Sequence, residues 1–281
     1  MEDLLTICAV NYNSSEFILN TLYCLEKTTK NKYKVIIRDN NSRREDFLNL
    51  EKGIQIYPNV DLYRVENFHY EGSLAHGIAM NDLILKIDTK YGVILDADCT
   101  FLYNNWDEIL INEINSEYPI IGTQAPVGYG SKKEFDFPLM YAILFDTKIL
   151  KSLNIDFEPE NPALALDTGH QLRKKYLKEG YKGKLLYYKN TRDYKLGPFK
   201  KLICAEYYFN GIKEIFACHF GRGSTLGASK YLKKKNKESG VTRSKIKYII
   251  PYLGSKLLIL KGKKEKKKWI KICKEIVNQF L

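Results

Sequence analysis

Residues 4–10 (LLTICAV), 33–37 (YKVII) and 92–95 (GVIL) are short apolar runs, and each stops abruptly at a polar cluster. The clusters are Asn11-Tyr12-Asn13, Asp39 to Ser42, and Asp96-Ala97-Asp98. A continuous apolar run of this length is what a strand buried on both faces requires. Between the runs lie segments of helical period: Phe17, Leu19, Leu22 and Leu25 after the caps Asn13 to Ser15, residues 44–52 closed by Gly53, and residues 71–87. A further strand is expected at 60–66. Strands alternating with helices imply a parallel α/β sheet, whose ligand crevice lies beyond the carboxyl ends of the strands. One crevice would therefore gather all three polar clusters.

The later residues read as a helix at 105–116, strands at 119–123 and 139–145, and a helix at 167–179 stopped by Gly180. Strands at 184–189, 202–209 and 213–219 follow. Trp106 and Tyr129 are generic candidates for stacking on a ligand ring, with core packing as the alternative. Six cysteines are scattered without a CxxC pair and read as small buried hydrophobes in a reducing compartment. No apolar run reaches the length of a membrane span, and the N-terminus carries acids where a secretory signal carries bases. These features lead us to expect a cytoplasmic protein.

Asp96 and Asp98 sit one residue apart at a strand end, where i and i+2 side chains point the same way. Two carboxylates so placed can converge on a hard divalent cation, Mg²⁺ or Mn²⁺, that bridges to a diphosphate. The alternative is a turn in which each Asp caps local amides. An imidazole joining such carboxylates would favour Mn²⁺ over Mg²⁺. Gly221-Arg222-Gly223-Ser224 is a turn whose amides and guanidinium could hold a diphosphate.

These motifs, in this order, resemble family 2 glycosyltransferases of the GT-A fold. The family's first strand ends in a turn like Val10-Asn11-Tyr12-Asn13. Its second ends in an Asp before a Ser-containing turn, here Arg38-Asp39-Asn40-Asn41-Ser42. A helix with small residues and Asn follows, here Gly72 to Asn81, and then the DxD, here Asp96-Ala97-Asp98. Further on, an acidic pair opens a helix, here Leu166-Asp167, with Arg173 and Gly180-Tyr181 beyond. Leu166 departs from the pattern. His219 followed by Gly221 to Ser224 matches the closing segment, so the resemblance spans residues 4–225.

The resemblance implies a Rossmann-like, mostly parallel central sheet flanked by helices, and an inverting, metal-dependent transfer of sugar from a nucleotide-diphosphate donor, most commonly a UDP-sugar, to a glycan, lipid-linked or protein acceptor. It implies that Asn11, Tyr12, Asn13, Asp39 and Asn41 line the nucleotide site, with Asp39 reading the base. On the same resemblance Asp98 would bind the cation directly, Asp96 would meet the ribose or the cation, His219 would complete the metal set, Arg222 and Ser224 would close over the diphosphate, and Asp167 would be the general base. Asp167 is equally placed to N-cap the helix at Thr168. A catalytically inactive nucleotide- or glycan-binding relative and a nucleotidyltransferase remain open as alternatives.

The net charge of +12 has one source. Residues 230–281 hold 16 Lys, one Arg and three Glu, so residues 1–229 are close to neutral. We accordingly divide the chain into a domain at 1–226 and a Lys-rich helical tail at 227–281. Trp269, Ile272, Cys273, Ile276, Val277 and Phe280 form one apolar helical stripe. A second segment with Ile246, Ile249, Ile250 and Leu253 is expected to end near Pro251. The stripe can pack on the domain, or lie on an anionic surface at the inner face of a membrane. Nucleic acid is disfavoured, because no recognition motif accompanies the charge.

Overall fold

The computed structural model describes residues 3–126, 134–159, 168–223, 226 and 251–280, with the backbone alone for 251–258. The run LTICAVN forms β1 (Leu5–Asn11), and all but Val10 of its side chains are buried. Helix α1 (Ser15–Thr28) returns the chain antiparallel to β1 so that β2 (Tyr33–Asp39) pairs parallel to it in the register Ile7 to Val35 and Asn11 to Asp39. Helix α2 (Arg44–Ile54) leads to β3 (Val60–Arg64), parallel to β2, and α3 (Gly72–Leu85) leads to β4 (Tyr91–Leu95), parallel to β1. The alternation read from the sequence is thus the parallel half of the sheet.

The sheet changes character beyond β4. After β5 (Cys99–Phe101) and α4 (Trp106–Glu113) come β6 (Ile120–Thr123), β7 (Leu139–Asp146), α5 (Thr147–Ser152), α6 (Gln171–Lys178), β8 (Gly183–Asn190), β9 (Ala205–Tyr208) and β10 (Ala217–His219). The strand order is β3-β2-β1-β4-β7-β6-β8-β9-β10-β5 in a sheet of ten strands. Every pairing from β7 outward is antiparallel except β6 with β8, so the sheet as a whole is mixed.

β5 has no counterpart among the expected strands. Three residues are too few to show a period, and only pairing with β10 makes them a strand. This pairing positions the site, because its register sets His219 opposite Cys99, next to Asp98. Trp106 is fully buried, stacked on Phe101 at 3.8 Å, with its indole N–H donating to Thr29 Oγ1 at 3.1 Å. It is a core residue. Tyr129 lies outside the described residues.

Helix α7 spans Pro251–Val277 among the described residues. Ile246 to Ile250 lie outside the described residues. Trp269, Cys273 and Val277 are fully buried against Phe17 and Cys24 of α1 and against Phe199, Cys218 and Phe220. Burying one aromatic of this size removes roughly 150–250 Å² of apolar surface, on the order of 5 kcal/mol. All six cysteines are buried and free. Among the described residues, no helix is long and apolar enough to cross a membrane.

Candidate active site

The turn that joins β4 to β5 closes with the Cys99 N–H donating to the Asp96 carbonyl at 2.9 Å. It carries both acids at the carboxyl end of β4. His219, at the end of β10, brings Nε2 to 3.2 Å from Asp98 Oδ1 and 3.8 Å from Asp96 Oδ2. From the other side His76, on α3, places Nε2 3.7 Å from Asp96 Oδ1. Tyr141 of β7 lies against the His219 ring at 4.4 Å.

Asp98 is held from behind. Its Oδ2 accepts the backbone N–H groups of Arg222 at 2.8 Å and of Gly223 at 2.7 Å. Gly221 (φ 70) and Gly223 (φ 46) take left-handed conformations that curl these consecutive amides toward one oxygen. Burial alone would push the Asp98 pKa up. His219 beside it and the two amides outweigh burial and hold the carboxyl well below the usual range.

The donor set fits a divalent cation. One ligand atom each from Asp96, Asp98 and His219 lies within 4.8 Å of the others. Adjacent ligands of an octahedral ion with bonds of roughly 2.1 Å stand roughly 3 Å apart, and the His219–Asp98 pair stands at 3.2 Å. Two carboxylate oxygens with one imidazole suit Mn²⁺ and tolerate Mg²⁺.

The ends of β1 and β2 form a second cluster. Asn11 is fully buried, and its Nδ2 donates to Asp39 Oδ2 at 2.8 Å, Ser42 Oγ at 3.1 Å and Asp46 Oδ2 at 3.1 Å. Asp39, also fully buried, accepts the Ser42 N–H on Oδ1 at 3.0 Å and faces Arg64 at 3.6 Å. Asn13 (φ 53) and Asn41 (φ 56) turn the chain through the left-handed region, which Asn tolerates better than most residues. Their Oδ1 atoms accept from Arg43 and Arg64 respectively. Tyr12 stands half exposed at the strand end, the aromatic face of this cluster open to solvent.

The structure brings Asp96, Asp98 and His219 together, with the Arg222 backbone beside them. The Arg222 guanidinium does something else: it pairs with Glu265 of α7, donates to the Ile203 carbonyl at 3.2 Å and covers the Phe220 ring at 3.8 Å. Leu166, Asp167 and Ser224 lie outside the described residues. His76, Tyr141 and Glu265 were not expected at the site. His76 is a polar residue on the buried side of an apolar helix, which is a weak signal. Tyr141 and Glu265 carry none, since each meets the site only through the fold.

The profile of glycosyl transferase family 2 matches residues 6–181. No curated protein matches the chain in sequence. Among solved structures, the chain is similar to mannosyltransferase PcManGT from Pyrobaculum calidifontis in complex with GDP-Man and Mn²⁺, with 16% identity, a TM-score of 0.51, and coverage of 66% of this chain and 55% of that one. It is similar to S. aureus TarS at 14% identity and a TM-score of 0.50, covering 83% of this chain and 40% of that one. It is similar to GalNAc-T7 with UDP, GalNAc and Mn²⁺ at 16% identity and a TM-score of 0.50, covering 65% of this chain and 42% of that one. The likeness is one of fold, and the chain spans 55% or less of each of these proteins.

Proposed function

The chain belongs to glycosyl transferase family 2, and we propose that it moves a sugar from a nucleotide-diphosphate donor, a UDP-sugar first among them, to an acceptor hydroxyl with inversion at the anomeric carbon. The observation that carries this reading is the convergence of Asp96, Asp98 and His219 at the carboxyl end of β4, a strand that lies beside β1 in the parallel half of the sheet.

Asp96, Asp98 and His219 would hold Mn²⁺, or Mg²⁺ in its place. When bound, the cation supplies positive charge against the departing nucleoside diphosphate. Tyr12 offers a ring face to the base, and Asp39 a carboxylate already oriented by Asn11 and Ser42. Asn13 and Asn41 shape the turns that flank it. Asp96 meets the ribose or shares the cation, and the strap around Arg222 and Ser224 borders the diphosphate. Asp167 takes the proton of the acceptor hydroxyl as its oxygen bonds to the anomeric carbon and the bond to the diphosphate oxygen breaks.

The acceptor is a glycan or glycoconjugate, lipid-linked or protein-borne. With Trp269, Cys273 and Val277 buried, contact with an anionic membrane falls chiefly to the exposed lysines of α7, Lys261, Lys263, Lys264, Lys267, Lys268, Lys271 and Lys274. Such binding is chiefly electrostatic. Sedimentation with anionic vesicles is expected at low salt and is lost at high salt; no sedimentation at low salt removes this part of the reading.

The deciding experiment is thermal shift and donor hydrolysis with UDP-, GDP-, CDP- and dTDP-sugars, in Mn²⁺, Mg²⁺ or chelator. One nucleotide should stabilise the protein only with metal, and Asp98→Ala should lose the effect. Slow metal-dependent hydrolysis marks a working transferase, and Asp167→Asn should abolish it. Stabilisation by nucleoside triphosphates alone would point to nucleotidyl transfer. Binding without turnover, even with acceptor extracts, would mark an inactive relative.

A further inference from the structure

We infer that α7 is the backing plate of the metal site and that Glu265 is a positioning residue for it, acting through Arg222. This rests on the cation site proposed above. The segment from Cys218 to Gly223 presents two faces. His219 and the N–H groups of Arg222 and Gly223 face the acids. Cys218, Phe220 and the Arg222 side chain face α7 instead.

Each of these three meets a named residue of the helix. The Trp269 indole N–H donates to Cys218 Sγ at 3.1 Å, and the Trp269 ring lies 6.0 Å from that of Phe220. Glu265 pairs with the Arg222 guanidinium, and both side chains are nearly buried. Gly262 lies against Leu226, which ends the strap with its N–H donating to the Gly223 carbonyl at 3.1 Å. A Cβ on Gly262 would stand 2.8 Å from Leu226 Cβ and 2.9 Å from its carbonyl oxygen. Positions 262, 265 and 269 share one helical face, so a single helix meets the strap at Leu226, Arg222, Cys218 and Phe220. The strap in turn sets both Asp98 donors and one metal ligand. Supports behind a ligand commonly govern metal affinity as much as the ligand itself does.

The test is Mn²⁺ titration of the full chain, followed by the electron paramagnetic resonance of the free ion, without nucleotide or acceptor. Glu265→Gln keeps the shape and removes the charge. Gly262→Ala keeps the ion pair, favours the helix and displaces Leu226. Glu275→Gln, on the exposed side of the same helix, is the control. We expect about 10-fold weaker Mn²⁺ binding in the first two, unchanged binding in the control, and cooperative unfolding in all three. Wild-type Mn²⁺ affinity in folded Glu265→Gln overturns the inference. Should that variant not fold, Gly262→Ala decides by the same criterion. If the wild-type protein takes up no Mn²⁺, the cation site itself fails, an outcome distinct from variants that bind as well as the wild type.

Discussion

The molecule places buried carboxylates at two strand ends and treats them differently. At the ends of β1 and β2, Asp39 has both oxygens engaged by the protein, one with Asn11 and one with Ser42, and Arg64 faces it. At the ends of β4 and β10, Asp98 has one oxygen committed to two amides while the other looks onto His219 and Asp96. The first carboxylate is built into the fold. The second is braced on one side and left to coordinate on the other. The difference teaches that a buried carboxylate points to metal coordination only when part of its bonding capacity faces another ligand-bearing group.

The comparison breaks most clearly at Asp39. Asp39→Ala removes the buried carboxylate that accepts from the Asn11 amide and the Ser42 N–H and faces Arg64, and should cost about 2–3 kcal/mol in urea unfolding while leaving Mn²⁺ uptake intact. A cost under about 1 kcal/mol would place Asp39 outside the structural framework. Asp98→Asn should do the reverse, weakening Mn²⁺ binding by about 100-fold or more with a smaller change in stability.

The pH dependence of Asp98 sharpens the contrast. Its native pKa lies below the ordinary value because His219 and two amides overcome burial. Its contribution to stability is therefore complete above the unfolded value, about pH 4, and is lost as pH falls toward the native one. Wild type should lose urea stability below about pH 4 more steeply than Asp98→Asn; parallel acid limbs would remove Asp98 as a source. Tyr12→Ala should have the smallest structural effect, within about 0.5 kcal/mol, because the ring is half exposed. Nucleotide affinity should fall about 10-fold if the ring stacks on the base, and calorimetric titration with the nucleoside diphosphate measures it.

Much of the site was legible because it is local. Asp96 and Asp98 belong to one turn, and the end of each apolar run marks where the crevice must open. His219 with its glycines was legible only through the resemblance, since nothing in its neighbourhood tells which strand it pairs with. β5 was not legible at all: Cys99-Thr100-Phe101 is a strand because β10 lies beside it. The stripe at 269–280 revealed a helix with one apolar face and left open what covers that face. The answer lies in Phe17, Cys24 and Phe220, more than forty positions away along the chain.

What the sequence determined by itself, then, is the parallel half of the sheet and the two acids at its edge. Apolar period and strand-end charge are properties of neighbouring residues, readable without a fold. The tertiary structure decided the rest: the antiparallel pairing that sets His219 opposite Cys99, and the docking of α7 that ties Glu265 to Arg222 behind Asp98. Pairing and docking depend on which complementary surfaces meet once the chain has collapsed, and distance along the chain carries no record of that.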